Sequence, residues 1–246
     1  MAKLMTLNVA HAAAGPIPPF LRRRVALERR LDAVAAAIVD AAPDIVALQE
    51  VDRPSFFSKR IDHFARLSDA TRMRPLHSAD RVDGSVHPRP GTALLSRASL
   101  ERPRAHAFRA GLLDDKSFTA GTARIDGALV DVLSVHLDPF SSATRRRQID
   151  AMVRALGPRE RPRVVMGDMN SSWSGDVGRL AAALELRAFE PHEARQRTFP
   201  AFHPVARLDW ILISRELTFV TYAAVPAVVS DHLGVAADVI VAEAQR

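Results

Sequence analysis

The chain has 246 residues, 48% of them hydrophobic, which is enough for one large α/β domain or two small ones. We expect a single domain over residues 1–246. There is no cysteine, which excludes disulfide frameworks, thiolate zinc sites and cysteine nucleophiles. The formal net charge is +6, and Lys3, Lys59 and Lys116 are the only lysines. Arginine suits bidentate phosphate recognition, but biased genomic base composition explains the same excess, so charge alone decides nothing about nucleic acid.

The N-terminal residues 1–15 form an apolar stretch that is too short and too interrupted for a secretory signal, and we interpret it as a strand. No segment approaches the roughly 18 apolar residues that a membrane span needs. We therefore expect a soluble, cytoplasmic protein without a transmembrane segment. A signal peptide preceding this sequence stays open as an alternative.

Apolar runs that predict strands alternate with helical patterns along the chain. The predicted strands are residues 4–9, 45–48, 92–95, 119–125, 129–136, 164–166, 210–213 and 233–241. Apolar residues at helical spacing predict a helix over residues 21–42, ending before Pro43, and a second helix over residues 57–67. Three adjacent arginines, residues 145–147, mark the start of another helix.

The pair Asp126-Gly127 lies between two β-prone runs and predicts a tight hairpin. Part of the sheet structure is therefore antiparallel. Strands interleaved with helices, together with a hairpin, favour an α/β protein with mixed sheets over a purely parallel one. The Pro- and Gly-rich segments 15–19 and 81–91 are candidates for substrate-facing loops.

Polar side chains lie at one end of six of the apolar runs. They are Asn8, Glu50, His136, Asp168 with Asn170, Asp209, and Asp231 with His232. Each alone has an ordinary explanation as a turn, cap or strand-end residue. If the strand ends converge, the same residues form one cluster of carboxylates, amides and imidazoles. Carboxylates and amides in the absence of cysteine are the ligands of hard cations, and Mg²⁺ typically takes only one or two carboxylates and keeps waters and substrate phosphate.

The order of these motifs resembles that of the endonuclease/exonuclease/phosphatase superfamily, with its deoxyribonuclease I-like fold, over nearly the whole chain, as in its small bacterial members. The matching segments are residues 5–9 (MTLNV), 44–52 (DIVALQEVD), 91–97 (GTALLSR), 134–140 (SVHLDPF) with 145–148, 164–172 (VVMGDMNSS), 207–214 (RLDWILIS) and 230–239 (SDHLGVAADV). The GD-x-N motif followed much later by SDH is the most specific pair.

The resemblance implies a four-layer α/β sandwich, with two mixed β-sheets packed face to face and flanked by helices. It also implies a phosphoric ester hydrolase that depends on Mg²⁺ or Mn²⁺, which we expect to be a phosphodiesterase. The implied metal-site residues are Asn8, Glu50 and Asp231. The implied catalytic residues are His136, Asp168, Asn170, Asp209 and His232. Asp209 would hold His232, and the sequence leaves open which of Asp168 and His232 is the general base.

Two further residues are candidates for substrate binding. Lys116 precedes a predicted strand and could bind phosphate or be a solvated charge. Trp173 directly follows GDMNSS and could stack on substrate or pack in the core. The substrate is expected to be a phosphate ester, either nucleic acid or a small-molecule or lipid phosphodiester, and the protein a monomer.

Two alternatives remain beside the phosphodiesterase. One is a DNA or RNA endonuclease or exonuclease of the same superfamily, although the tyrosine motif of abasic-site enzymes is missing and Tyr222 is the sole tyrosine. The remote alternative is a non-catalytic module that binds nucleic acid through its arginines. The sequence does not decide the substrate, because superfamily members share site chemistry and differ in their loops.

Overall fold

The computed structural model describes residues 1–12, 23–56, 58–77, 91–108, 116–190 and 196–242. Within them, four α-helices accompany twelve strands. The helices are α1 (Arg24–Ala41), α2 (His63–Thr71), α3 (Ser142–Leu156) and α4 (Gly178–Ala183). The strands are β1 (Ala2–Asn8), β2 (Ile45–Val51), β3 (Arg74–His77), β4 (Gly91–Ser96), β5 (Glu101–Ala107), β6 (Ser117–Ile125), β7 (Ala128–His136), β8 (Arg163–Asp168), β9 (Leu186–Ala188), β10 (Asp209–Ser214), β11 (Leu217–Ala224) and β12 (Val235–Val241).

The strands form two six-stranded sheets. The first has the order β11-β12-β1-β2-β4-β3, and the second has the order β5-β6-β7-β8-β10-β9. Each is mixed: β1 pairs with β2 in parallel, as β7 does with β8, and the other pairings are antiparallel. The predicted mixed α/β architecture is therefore confirmed.

The two sheets pack face to face because their strands are apolar on both faces. In β1, Leu4 points into the core between the sheets, whereas Met5 and Leu7 point outward against Leu27 and Leu31 of α1. The second sheet behaves in the same way, with an outer apolar cluster formed against α3 and α4. Burial on both faces explains why the strands appear as continuous apolar runs in the sequence. The order of layers is helix, sheet, sheet, helix, as predicted.

The hairpin at Asp126-Gly127 is present. Ile125 pairs with Ala128, and both turn residues have left-handed backbone, with φ of 47° at Asp126 and 81° at Gly127. This is the geometry of a type I′ turn, whose twist matches that of the flanking strands.

Helix α2 begins at His63, so the predicted start at residue 57 is wrong. The apolar spacing continued upstream in the sequence, but the cap decides where the helix begins. The side chain of Asp62 accepts a hydrogen bond from the backbone N–H of Ala65 at 2.9 Å. Just before it, Lys59 and Arg60 have left-handed φ of 53° and 58°, which a helix does not tolerate.

Helix α1, from Arg24 to Ala41, matches nearly the whole predicted helix and ends just before Ala42, which has a left-handed φ of 50°. Several predicted features lie outside the described residues: the proposed start of that helix at residues 21–22, Phe57, the loop 15–19 and residues 81–90 of the second loop. No helix within the described residues is long and apolar enough to cross a bilayer.

Candidate active site

Strand pairing brings the predicted polar residues to one end of the sandwich. In the second sheet Asp168, the last residue of β8, is paired with His136 on one side and with Asp209 on the other. In the first sheet Asn8, the last residue of β1, lies beside the end of β2. The side-chain amide of Asn8 donates a buried hydrogen bond of 3.0 Å to Oδ2 of Asp168, which joins the two sheets.

A chain of contacts runs from Asp209 through His232 to Asp168. Nδ1 of His232 lies 2.8 Å from Oδ2 of Asp209, and its Nε2 lies 3.7 Å from Oδ2 of Asp168. All three side chains are buried. A carboxylate on one ring nitrogen fixes the tautomer or stabilises the imidazolium, so the other nitrogen faces Asp168 in a defined orientation.

The pKa values of Asp168 and His232 are both raised by their surroundings. Burial raises the pKa of Asp168 to about 7, against the opposing charge of His232. For His232, burial lowers the pKa, but the charge and hydrogen bond of Asp209 outweigh it, and with the charge of Asp168 they raise it to about 10. At neutral pH His232 is therefore an imidazolium, and Asp168 is poised to take up a proton.

His136 occupies the other side of Asp168. Its Nε2 lies 3.7 Å from Oδ2 of Asp168 and 3.8 Å from Oε1 of Glu50, and its Nδ1 lies 3.5 Å from Nζ of Lys116. Burial lowers the pKa of His136 well below 6.5, and the positive charge of Lys116 lowers it further. His136 is therefore neutral at pH 7, and Lys116 belongs to the site.

The GD-x-N segment has a backbone that only specific residues allow. Gly167 has a φ of 151°, and a side chain there would meet the carbonyl oxygen of Val135 at 1.9 Å. Asn170 has a left-handed φ of 46°, and its amide nitrogen lies 3.3 Å from Nε2 of His136 while donating to the carbonyl of Leu137 at 2.9 Å. Strained backbone of this kind is frequent at functional sites.

Glu50 lies in a β-bulge, because the pairing of β2 with β4 shifts register between Leu48 and Val51. Its φ is 57°, again in the left-handed region. A bulge redirects a side chain that regular pleating would aim elsewhere. Here the bulge places the Glu50 carboxylate beside His136. The Glu50 side chain is 20% exposed.

His11 also belongs to the site, and sequence reasoning missed it. Its Nε2 lies 3.2 Å from Oε2 of Glu50, and its Nδ1 lies 2.9 Å from Oδ1 of Asp52. Burial lowers the pKa of His11, but the hydrogen bond and charge of Asp52 and the charge of Glu50 raise it above 6.5 overall. His11 follows Asn8 by three residues in the sequence. This spacing alone does not indicate a contact with residues 50 and 52.

A second residue missed in the sequence is Phe199, whose ring lies 4.7 Å from that of His232, centroid to centroid. Its neighbour Thr198 accepts a hydrogen bond of 3.3 Å from the backbone N–H of Asp209, and its carbonyl accepts one of 2.8 Å from Leu233. The loop before β10 thus holds both members of the Asp209–His232 pair.

Two predicted residues have a looser connection to this cluster. Asp231 contributes a negative charge that raises the pKa of His232, and its Oδ1 accepts a hydrogen bond from Ser230 at 3.2 Å. Trp173 lies 6.1 Å from Trp210, centroid to centroid, and packs on the outer apolar cluster of the second sheet. The observed contacts of Trp173 are therefore those of a packing residue.

The donor set fits a divalent cation. One oxygen of Asp168 and one of Asp209 lie within 4.8 Å of each other and of a ring nitrogen of His232, although His232 as an imidazolium does not itself bind a cation. Oδ1 of Asp209 is buried and has no hydrogen-bond partner among the described residues. In the same part of the chain, no arginine or lysine forms an ion pair with Glu50, Asp168 or Asp209. Carboxylates whose ion-pair partners among the described residues are histidines alone leave negative charge that a bound cation would neutralise.

Comparison with known proteins gives a consistent picture. A sequence model of the Endonuclease/Exonuclease/phosphatase family matches residues 5–232. No curated protein matches the sequence of this chain.

Three solved structures with the same fold share between 13% and 21% sequence identity with this chain. An endonuclease/exonuclease/phosphatase from Beutenbergia cavernae has a TM-score of 0.71 and 20% identity, over 98% of this chain and 72% of that one. The human Nocturnin catalytic domain has a TM-score of 0.73 and 21% identity, over 98% of this chain and 94% of that one. A mannosyl-6-phosphatase from Bacteroides thetaiotaomicron has a TM-score of 0.73 and 13% identity, over 98% and 100%. The family match covers nearly the whole sequence, so the chain belongs to the Endonuclease/Exonuclease/phosphatase family and is a phosphoester hydrolase.

Proposed function

We propose that the protein hydrolyses a phosphate diester, with Mg²⁺ or Mn²⁺ as cofactor and Asp168 as the group that accepts the proton of the attacking water. The observation that carries this proposal is the buried contact chain from Asp209 through His232 to Asp168. It gives one carboxylate a pKa of about 7 next to an imidazolium whose pKa is about 10. A base is most effective when its pKa lies near the working pH.

In this proposal water attacks phosphorus and its proton passes to Asp168. The bond from phosphorus to the leaving oxygen breaks with its electron pair, and the released alkoxide or aryloxide takes up a proton from solvent. His232, held by Asp209, donates a hydrogen bond to a phosphoryl oxygen as negative charge develops there. This assignment follows from the pKa order, because a histidine that is already protonated at pH 7 is a poor base. Asp209 orients His232 and stabilises its positive charge.

His136, Asn170 and Lys116 form the opposite wall. The amide nitrogen of Asn170 lies 3.3 Å from Nε2 of His136, and Nζ of Lys116 lies 3.5 Å from its Nδ1. Two hydrogen-bonding side chains, Asn170 and His136, and the cation of Lys116 therefore lie on one side of Asp168. We assign His136 to phosphate contact, because its lowered pKa keeps the ring neutral at pH 7, and a neutral imidazole is too weak an acid to protonate the leaving group but keeps one N–H that donates a hydrogen bond. Lys116 would contribute charge to bind the phosphate.

Glu50 would be the principal ligand of the cation, and Asn8 and Asp231 are the further ligands that the family motifs imply. A divalent cation at this place would neutralise the negative charge of the phosphate and position the reacting groups. Asn8 is also engaged in other bonds: its Oδ1 accepts from the N–H of Ala10 at 2.9 Å and its Nδ2 donates to Asp168. The Asn8 role therefore includes holding Asp168.

Relatives of the same fold support a phosphate-like substrate. The human Nocturnin structure carries a bound sulfate anion, which is tetrahedral like phosphate. The Bacteroides thetaiotaomicron protein is described as a mannosyl-6-phosphatase, so the same fold accommodates a phosphomonoester in that protein. The preference for a phosphodiester and the requirement for a metal are our proposals for this chain and do not come from these two relatives.

A nuclease of the same family is the main alternative. The arginines argue against a broad polyanion-binding face, because several of them are already paired. Arg145 and Arg146 both bind Asp176, and Arg159 binds Glu216 at 2.8 Å. These ion pairs reduce the positive charge that a nucleic acid would meet.

A substrate panel tests the proposal. Purified protein is assayed on an aryl phosphodiester, an aryl phosphomonoester, single- and double-stranded DNA, abasic DNA, RNA, inositol phosphates and sphingomyelin, each with Mg²⁺, Mn²⁺, Ca²⁺ or chelator. We expect diester hydrolysis that requires Mg²⁺ or Mn²⁺. Full activity after metal stripping and in chelator would refute the metal requirement, and a faster monoester would refute the diester preference. Binding of nucleic acid without any hydrolysis would favour the non-catalytic module.

A further inference from the structure

His11 connects two carboxylates at the edge of the site. Its Nδ1 lies 2.9 Å from Oδ1 of Asp52, and its Nε2 lies 3.2 Å from Oε2 of Glu50. The imidazole therefore separates the two acidic side chains and uses both of its nitrogens. Oε1, the other oxygen of Glu50, faces His136 at 3.8 Å and the catalytic cluster beyond it. The two oxygens of Glu50 thus have different surroundings.

The backbone that carries His11 is held in an unusual conformation. Ala10, His11 and Ala12 have consecutive left-handed φ values of 46°, 53° and 55°. The side chain of Asn8 secures the start of this turn by accepting a hydrogen bond from the N–H of Ala10 at 2.9 Å. Left-handed backbone at non-glycine residues costs free energy and persists where the surrounding structure fixes it.

Asp52 is fixed as well. Asp52 is buried and is bound to His63, whose Nδ1 accepts a hydrogen bond from the Asp52 backbone N–H at 3.3 Å. The Asp52 carbonyl in turn accepts a hydrogen bond from the N–H of His63 at 3.1 Å. The anchor for His11 therefore belongs to the start of helix α2 and not to a free loop.

We propose that His11, clamped by Asp52, is a positioning residue that occupies Oε2 of Glu50 and leaves only Oε1 for the cation, and that it thereby favours Mg²⁺ over Ca²⁺. The inference rests on the proposed metal dependence. It adds a residue outside the predicted ligand set and a preference between two cations.

The chemical reason is the difference between the two ions. Mg²⁺ demands compact octahedral coordination and takes each carboxylate through one oxygen, whereas Ca²⁺ accepts six to eight oxygens and often binds a carboxylate through both. A glutamate with one oxygen already occupied suits the first ion better than the second. Partners that orient a metal ligand typically contribute 10- to 100-fold in metal affinity or activity.

The test is direct binding of cations to the protein of residues 1–246, without substrate. Titration calorimetry gives the Kd of Mg²⁺ and of Ca²⁺, and electron paramagnetic resonance counts bound Mn²⁺. The variants are His11→Ala, which frees Oε2, His11→Gln, which keeps an N–H donor, and Asp52→Asn, which keeps His11 but weakens its anchor. Asp69→Asn, at an exposed position of α2, is the matched control.

We expect His11→Ala to raise the Kd of Mg²⁺ about 10-fold or more and to change that of Ca²⁺ by less than about 3-fold, so that the preference narrows. His11→Gln should recover part of the preference, and Asp52→Asn should lose part of it. A purely structural histidine would weaken both ions equally or neither, and either result overturns the proposal. If His11→Ala does not fold, the other two variants decide in the same way.

The outcomes also separate this inference from the proposed function. If the wild-type protein binds no Mn²⁺ and hydrolyses its substrate in chelator, the metal requirement itself has failed. If the wild type binds Mg²⁺ and His11→Ala keeps the Mg²⁺ to Ca²⁺ ratio of the wild type, the positioning role alone has failed. A fall in kcat at saturating Mg²⁺ with unchanged cation Kd values would assign His11 to the substrate instead.

Discussion

The amide nitrogen of Asn8 lies 3.0 Å from Oδ2 of Asp168, although 160 residues separate the two along the chain. This bond crosses from the first sheet to the second and ends on the carboxylate that we assign as the base. A hydrogen bond donated to a carboxylate favours its charged form, so Asn8 lowers a pKa that burial raises. The packing of the two sheets and the acidity of the site are therefore linked through one side chain.

Asn8→Asp should move the pH profile. The new carboxylate would remove the N–H donor and add a like charge beside Asp168, and both changes raise the pKa of Asp168. Activity that needs ionised Asp168 falls on the acid side, so that limb of kcat should shift to higher pH. The profile is measured at saturating Mg²⁺ for variant and wild type. An unmoved limb would show that Asp168 is not the titrating base.

Asp168→Asn should fold normally and lose at least about 10² in kcat, the scale of a positioned acid-base group. Burial penalises the charge of Asp168, so its removal should leave thermal stability equal or higher. His232→Ala should also lose kcat without response to added metal. The double variant should cost less than the sum of the two, because both serve one step. If the losses in log kcat of the two single variants add up to the loss of the double variant, Asp168 and His232 do not act in the same step.

Glu50→Gln should act on the cation and not on the proton transfer. The amide keeps the size of the side chain but removes the negative charge that would bind the ion, so the metal concentration for half-maximal rate should rise. Excess Mn²⁺ should restore part of the activity, which it should not do for Asp168→Asn. Rates are compared over a titration of Mn²⁺. Equal responses of the two variants would contradict the division of labour between Glu50 and Asp168.

The sequence predicted the central strands and the site motifs well, and the reason is burial. The four strands that it did not predict, β3, β5, β9 and β11, lie at the four edges of the two sheets. An edge strand has fewer buried positions, as in β5, where six of seven residues are exposed, so its hydrophobic pattern is weak. Central strands have no such ambiguity, because both of their faces are covered.

The site followed the same logic. Strand-end residues such as Asp168 and Asp209 were predictable because sheet pairing brings strand ends together. His11 was not, because its contact with Glu50 depends on a left-handed turn and a β-bulge, and neither has a sequence signature in this chain. The catalytic, metal-binding and substrate-binding roles of all the predicted site residues, and the single domain over residues 1–246, stay predictions.

Lys116 and Trp173 should respond differently to substitution. Lys116→Gln removes a cation 3.5 Å from His136 and should raise KM for a phosphate substrate several-fold with little loss of stability. Trp173→Ala removes packing against Trp210 and should cost roughly half of the ~3–5 kcal/mol expected for a fully buried tryptophan. Steady-state kinetics and denaturant unfolding distinguish the two. A raised KM with unchanged stability for Trp173→Ala would instead support its predicted contact with substrate.

His63 should make the protein less stable in mild acid. It is fully buried, its Nε2 has no hydrogen-bond partner within the described residues, and burial lowers its pKa below 6.5. The unfolded chain protonates this histidine near pH 6.5, whereas the folded protein resists protonation until lower pH. The unfolded state therefore binds more protons in that window, and the free energy of unfolding falls as pH drops below about 6.5.

His63→Gln tests this dependence, because glutamine keeps an acceptor for the Asp52 N–H and does not titrate. Between pH 7.5 and 5.5 the variant should lose less free energy of unfolding than the wild type, by ~1.4 kcal/mol for each unit of the pKa shift. Urea unfolding at both pH values measures the difference. The other titrating groups, including Asp168 and His232, are present in both proteins and cancel in the comparison. Parallel losses in the two proteins would mean that His63 takes up its proton in the folded state as readily as in the unfolded chain.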